Sequence, residues 1–392
     1  MFANFSLKLA NVAKAGCFVV RKKISDLSFK IIIAVVTLVI FISVTYWANA
    51  GFSEAASEQK QSHETARVTE ILATNVEMTE NGFYQGEMRL IVELETGAYR
   101  GAQTEVVFFL NQITSHQAQI DDRMSVRITV VDEVITSINI QNPERREIVF
   151  GFFAVFLVIL GLLGGKRGII AITSLIFTLI SIIFLLIPLA LRGYSVIFTT
   201  FIILFLITIV SLTLLAGFTS KGIAAMIGCL IGVAATAILT HIGATLAHIS
   251  GFHMEEVGLI LATTDIAPAQ ASGLFISGVL IASLGAVMDT AMTIASTVDE
   301  LRKNNPKMTV ARLFRSGMNV GRDTMGTMTA TLILAFAGTS LNMIILIYNG
   351  GTSLNQLINS DFIVIEIIRS IAGSLGIILT IPAVALVSSV MD

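Results

Sequence analysis

The chain is short of charge and of cysteine. Asp, Glu, Lys and Arg together make up only 13% of its 392 residues, about half the share of a soluble domain. That rules out a disordered chain and a salt-bridged coiled coil. The two cysteines, Cys17 and Cys229, lie in unrelated settings and build no disulfide framework. Net charge is −2, so no global field gathers a polyanion, and nucleic acid is not an expected partner. There is no G-x-x-x-x-G-K-[ST], no H-E-x-x-H, no G-x-S-x-G and no G-x-G-x-x-G. Nucleotide-driven transport by this chain alone is therefore unsupported. The expectation is no enzyme activity and no cofactor.

What the chain has is apolar residues, 54% of the total, with a mean hydropathy of +0.83. That composition reads as an integral membrane protein. A helix crossing the hydrocarbon needs about 20 apolar residues. One such run covers 30–49, after a basic segment at 1–29. A polar region follows at 50–147, and 148–392 is nearly continuous apolar helix. Spans are expected near 148–164, 169–191, 196–217, 222–247, 273–298, 325–349 and 361–389, making eight with the first. Breaks fall at Gly164-Gly165-Lys166-Arg167-Gly168, Arg192-Gly193-Tyr194 and Thr219-Ser220-Lys221. Lys and Arg concentrate before the first span, at 166–167, at Lys221 and at 302–322. By the positive-inside rule both termini are expected in the cytoplasm and the polar region outside the plasma membrane. Ala48-Asn49-Ala50 mimics a signal-peptidase site, but the long basic lead and span-length apolar run favour a retained anchor over cleavage after Ala50.

The polar region carries sixteen Asp and Glu against eight Lys and Arg over 54–147. After a linker at 51–66 its pattern is short and alternating, at 88–95, 105–110 and 124–131, with Thr96-Gly97 and Arg100-Gly101 as turn chemistry. About five strands in so short a stretch suggest a small closed β-barrel, OB-like or SH3-like. An acidic surface without interleaved cations and aromatics argues against nucleic-acid binding by this domain. A folded spacer at the outer mouth of the bundle is the simpler role.

The specific signals are ionisable groups at membrane depth. Asp289 lies about 15 Å from the basic end of the span at 273–298, where a charge costs at least ~2.5–3.5 kcal/mol. Gly278, Ala282, Gly285, Asp289, Thr293 and Ser296 share one helix face, opposite Leu280, Leu284 and Val287. The next span carries a Thr stripe at Thr324, Thr327 and Thr331, with Gly326 and Gly338 on the same helix. Small faces let helices approach closely, so Gly278, Gly285, Gly326 and Gly338 are candidate packing positions. An antiparallel pair would put Asp289 beside a ladder of hydroxyls, where it could take up and release a proton. The plainer reading is a neutral Asp gluing two helices. Asp289, Thr293, Ser296, Thr327 and Thr331 are thus candidates for a proton or ion pathway. Glu366 and Arg369, three apart in the last span, can pair on the helix or gate the outer mouth. His241, His248 and His253, with Glu255 and Glu256 beyond, are weak metal candidates, since their spacing matches no compact ligand motif. Residues 307–320 read as an interfacial amphipathic helix and 248–272 as a re-entrant or surface segment. An intramembrane aspartyl protease would need a second facing carboxyl, and Asp323 sits at the membrane edge.

The run Gly285-Ala286-Val287-Met288-Asp289-Thr290-Ala291-Met292-Thr293-Ile294-Ala295-Ser296, followed by Gly321-Arg322-Asp323 and Gly326-Thr327-Met328-Thr329, resembles the YibE/F family of bacterial membrane proteins. Pro188 before Gly193, Gly217 with Lys221, Ala224-Ala225 and the turns at Thr96-Gly97 and Arg100-Gly101 extend the likeness over nearly the whole chain. Ala330 departs from it, standing where the family pattern has Asn. The resemblance implies a multi-spanning plasma-membrane protein. A weaker likeness, over 273–392, is to the membrane halves of SecD/SecF and RND transporters, where an intramembrane Asp takes part in proton coupling.

The resulting expectation is an all-α polytopic bundle of about eight spans with an inserted extracytoplasmic small β-barrel. Its function would be a permease or proton-coupled transporter working with the lipid bilayer and a second related subunit or second copy. The competing class is a non-transporting scaffold or sensor whose β domain recruits an envelope partner. Asp289→Asn separates them.

Overall fold

The computed structural model describes residues 41–50, 60–111, 114, 116–131, 134–249, 251, 255–264, 266–351 and 353–391. The basic segment 1–29, most of the first expected span, most of the 51–66 linker, Cys17 and His253 lie outside them. The chain forms two compact units, one of residues 50–165 and one of residues 1–49 with 166–392.

The first unit is built on a five-stranded antiparallel sheet. Its strands are β1 Lys60–Met78, β2 Tyr84–Leu94, β3 Gln103–Leu110, β4 Arg123–Val131 and β5 Val134–Pro143, in the order β3-β2-β1-β4-β5. The 19-residue β1 pairs with β4 through residues 60–67 and with β2 through residues 66–78. Register shifts at Val68/Glu70 and Ile71/Ala73 bend it between the two partners, as extra residues in one strand do. Alternation sets the core. Ala66, Val68, Leu90, Val92, Leu94, Val106, Phe108, Met124, Val126 and Ile128 all point inward and are buried. Gly86 (φ 141°) is required, since a Cβ there would run into the Asn75 carbonyl. The expected small barrel is met in part. β3 and β5 approach each other, but no ladder joins them among the described residues, so the sheet curls into a half-barrel.

Glu95, just past β2, bonds Arg67 at 2.6 Å and Arg123 at 2.8 Å, and Arg123 also reaches Glu147 at 2.6 Å. The Arg67 hydrogen bond and the charge of Arg123 hold the Glu95 carboxyl below the usual range. This cluster ties β1, β2 and β4 to the first turn of the following helix.

That helix, α2 (Arg146–Ser181), is non-helical at Gly165 (φ 53°, ψ −131°), a backbone few residues besides glycine adopt. The boundary between the two units falls there. With a π turn at Ile182–Leu186 and α3 at Ile187–Leu191, the run extends over 46 residues. At full length it would measure about 69 Å, more than twice a hydrocarbon core, so it is not one straight crossing.

In the second unit, α1 (41–49) precedes α2. Asn49 Nδ2 donates to Thr45 O at 2.7 Å and to Phe184 O at 2.8 Å, the latter inside the π turn. Ala48 is fully buried, and Arg192 lies 5.0 Å over the Trp47 ring. Then come α4 Val196–Ala216, α5 Ser220–Leu246, α6 Glu255–Thr263, α7 Ala271–Asn304, α8 Val310–Thr339, α9 Leu341–Asn349, α10 Leu354–Ile358 and α11 Asp361–Val390. Among the described residues, five helical runs are long and apolar enough to cross a membrane, or six if α8 and α9, bent by 59°, count as one. The amphipathic segment expected at 307–320 is not a separate element. It forms the first turns of α8, which continues without a break into the apolar part.

The core is the mutual packing of α5, α7 and α11, with α8 on α7 and α11 and α4 on α5 and α7. Glycines make the closest approaches. A Cβ on Gly232 would meet Thr380, one on Gly228 would meet Val384, and one on Gly376 would meet Thr236. Gly317 of α8 lies close to Ala385 of α11 and Ile294 of α7, and a Cβ on Gly321 would meet Ile381 of α11 and approach Ile294. This is small-xxx-small packing, the means of helix association where no hydrophobic force acts between helices.

Candidate functional site

The polar small-residue face of α7 is where the sequence put it, but it is not covered. Gly278, Ala282, Gly285, Asp289 and Thr293 are exposed and Ser296 is half-buried. A Cβ added at Gly278 or Gly285 would touch nothing. The opposite face, with Val279, Leu280, Leu284, Val287, Ala291 and Ile294, is buried. Packing inside the chain is driven by the bulkier face, which supplies far more dispersion contacts than glycines can.

α7 and α8 do pack, through Ile294 and Val298 against Gly317 and Gly321, but the expected seam of Asp289 beside the Thr ladder is corrected. Gly326, Thr327, Thr331 and Gly338 of α8 are exposed too, and Gly326 and Gly338 also face open space. None of the four glycines expected to pack does so among the described residues. The hydroxyls are satisfied locally, Thr327 by Thr324 O at 2.9 Å and Thr331 by Thr327 O at 2.8 Å. Hydroxyls on helices bond back to the carbonyl one turn earlier, so their donors are used within the helix and only their lone pairs face outward. Among the described residues Asp289 has no hydrogen-bond or ion-pair partner.

Glu366 and Arg369 do pair, at 2.9 Å, with side chains 23% and 18% accessible. Arg369 lies 5.8 Å from the Phe275 ring of α7 and 5.6 Å from the Phe336 ring of α8. Glu366 Oε2 and Arg369 Nε are buried without partners. The pair sits beside the α8–α9 bend, whose Ser340 faces Glu366.

His241 and His248 are exposed at the end of α5, His248 with a positive φ of 55°. Among the described residues no three His, Cys, Asp or Glu gather as a metal site. The sequence reading passed over Gly228-xxx-Gly232 and Gly317-xxx-Gly321, both legible as close-packing motifs.

The family model described as YibE/F-like protein matches residues 152–391. The β-domain turns at Thr96-Gly97 and Arg100-Gly101 lie outside that match. No curated protein and no solved structure matches the chain. Covering more than half of the chain, the family match places this protein in the YibE/F-like family.

Proposed function

For this YibE/F-like membrane protein, we propose a permease in which ion movement is coupled through Asp289, along the open face of α7, with a second subunit or second copy completing the path. The supporting observation is the placement of Asp289. It stands midway along an apolar 34-residue helix, on a face whose Gly278 and Gly285 meet no other side chain among the described residues. A carboxylate turned to lipid is costly, so such a group faces water or another protein chain. The absence of a nucleotide motif in the sequence is consistent with ion coupling. In this reading the chain crosses the plasma membrane eight times with both ends in the cytoplasm. The 46-residue run divides into two crossings at Gly165, and the half-barrel is an OB-like domain outside. Glu366 and Arg369 gate the outer end.

The test is reconstitution of the full chain into proteoliposomes holding a pH-sensitive dye, with an imposed membrane potential. Proton entry should fall at least tenfold with Asp289→Asn (~1.4 kcal/mol) while the protein still inserts. Unchanged entry ends the reading. The exposed Phe109 and Ile120 of the β unit, 63% and 60% accessible, favour the second reading, a scaffold that docks an envelope partner. In that case Asp289→Asn would be silent and Phe109→Ser would not.

A further inference from the structure

A cavity of 380 Å³ opens between the second part of α2, the end of α4, the start of α5 and the end of α7. We propose that it holds the headgroup of an aminophospholipid, with the phosphate on Arg167 and Lys221 and the primary ammonium on the carboxylates of α7. The proposal needs only that the bundle lies in a bilayer, and it is independent of any transport role.

The charges lining the cavity are mixed and do not cancel locally. Lys303 is held by Asp299 at 2.7 Å and also feels the Glu300 charge. One lysine therefore serves two carboxylates, which leaves negative charge over. Glu300 has one further bond, from Asn304 Nδ2 at 3.3 Å. On the other side, Arg167 and Lys221 have no ion-pair or hydrogen-bond partner among the described residues. A cavity with two free cations and an under-neutralised carboxylate pair fits a ligand carrying both signs a few ångströms apart. A phosphodiester bonded to a primary amine has that form.

Apart from the Ser296 hydroxyl, the remaining wall is apolar. Ile170, Leu215 and Met292 line it and can receive the glycerol and first acyl carbons. The cavity also lies at the right level. Arg167 begins the apolar stretch of α2 beyond Gly165, Lys221 is in the first turn of α5 and Lys303 in the last turn of α7. These are the polar ends of membrane-length helices, at the depth of headgroups. Basic pockets between spans at that level are recurrent lipid sites. The carboxylates distinguish this one from a site for purely anionic lipid. A quaternary choline cannot donate hydrogen bonds to them, whereas a primary ammonium donates three.

The experiment is native mass spectrometry and thermal unfolding of the purified full chain in detergent. Dioleoyl phosphatidylethanolamine, phosphatidylglycerol or phosphatidylcholine is added, with inorganic phosphate as a separate arm. Phosphatidylethanolamine should bind most tightly and raise the unfolding temperature. Arg167→Ala with Lys221→Ala should weaken it about tenfold or more, the scale of a lost charge-assisted bond. Glu300→Gln should remove the preference over phosphatidylglycerol, and Lys166→Ala, a neighbouring exposed cation outside the cavity lining, should change nothing. Equal binding of phosphatidylcholine, or insensitivity to the double variant, would overturn the proposal. So would full competition by inorganic phosphate, which would make this a free-phosphate site.

Discussion

Alanine at Gly232 and alanine at Gly285 should have opposite effects on stability. Both glycines lie inside long apolar helices, so in each case alanine recovers backbone entropy worth about 0.5–1 kcal/mol. At Gly232 of α5 the new methyl would collide with Thr380 Oγ1, 3.0 Å from Val287 Cγ1 and 3.2 Å from the Gly376 carbonyl. Thr380 cannot swing aside freely, because its hydroxyl is fully buried and donates to Gly376 O at 2.8 Å. Overpacking of this kind costs about 1–3 kcal/mol, so the net effect is a destabilisation of up to about 2 kcal/mol. At Gly285 of α7 the methyl meets no atom of the chain, and the entropic gain stands alone. The two variants should differ by about 1–3 kcal/mol in detergent-solubilised, monomeric protein followed by thermal unfolding. Equal losses at both positions would refute the argument, since they would mean that the α7 face is packed inside the chain. Gly285→Leu extends the test. It should leave the monomer folded and abolish association if a second chain covers that face.

Three further outcomes follow from the same geometry. Glu95 has a folded pKa below its unfolded value near 4.5, so its stabilisation is complete above that value and is lost as pH falls through the folded one. Amide protection factors in β1 and β4, which correct for the intrinsic exchange rate, should fall as pH drops below 4.5, and Glu95→Gln should flatten that dependence. Glu366→Gln leaves a half-buried guanidinium without its counterion and should cost about 1–3 kcal/mol, less than a fully buried pair because part of each side chain stays accessible. Arg369→Lys keeps the charge but gives up the planar contacts with Phe275 and Phe336, worth about 1–2 kcal/mol; both are read from thermal unfolding. Asn49→Ala removes the amide that holds Phe184 O in the π turn and should cost about 1–2 kcal/mol, with exchange at residues 182–191 rising. Unaltered exchange there would count against that bridge.

What the sequence could convey depended on which physical force wrote the pattern. Apolar runs end where the bilayer ends, so the spans expected at 196–217, 222–247 and 361–389 agree with Val196–Ala216, Ser220–Leu246 and Asp361–Val390. Hydropathy does not register where a helix starts in water, and α8 accordingly begins at Val310 and carries Arg312, Arg315 and Arg322 before its apolar part. Strand alternation located β2, β3 and β4, but bulges leave no periodic trace, so the bent 19-residue β1 was invisible. The α7 stripe is the instructive case. Glycine and alanine at helical spacing say that something comes close, and an aspartate among them says that it is not lipid. Neither says whether the neighbour belongs to the same chain. Within this chain the bulky side chains settled that question, because Leu280, Leu284 and Val287 gain most by entering the helical core. The close approaches were left to Gly228, Gly232, Gly317, Gly321 and Gly376. An uncovered small-residue face that carries a charge is thus what remains when packing among the described residues is complete.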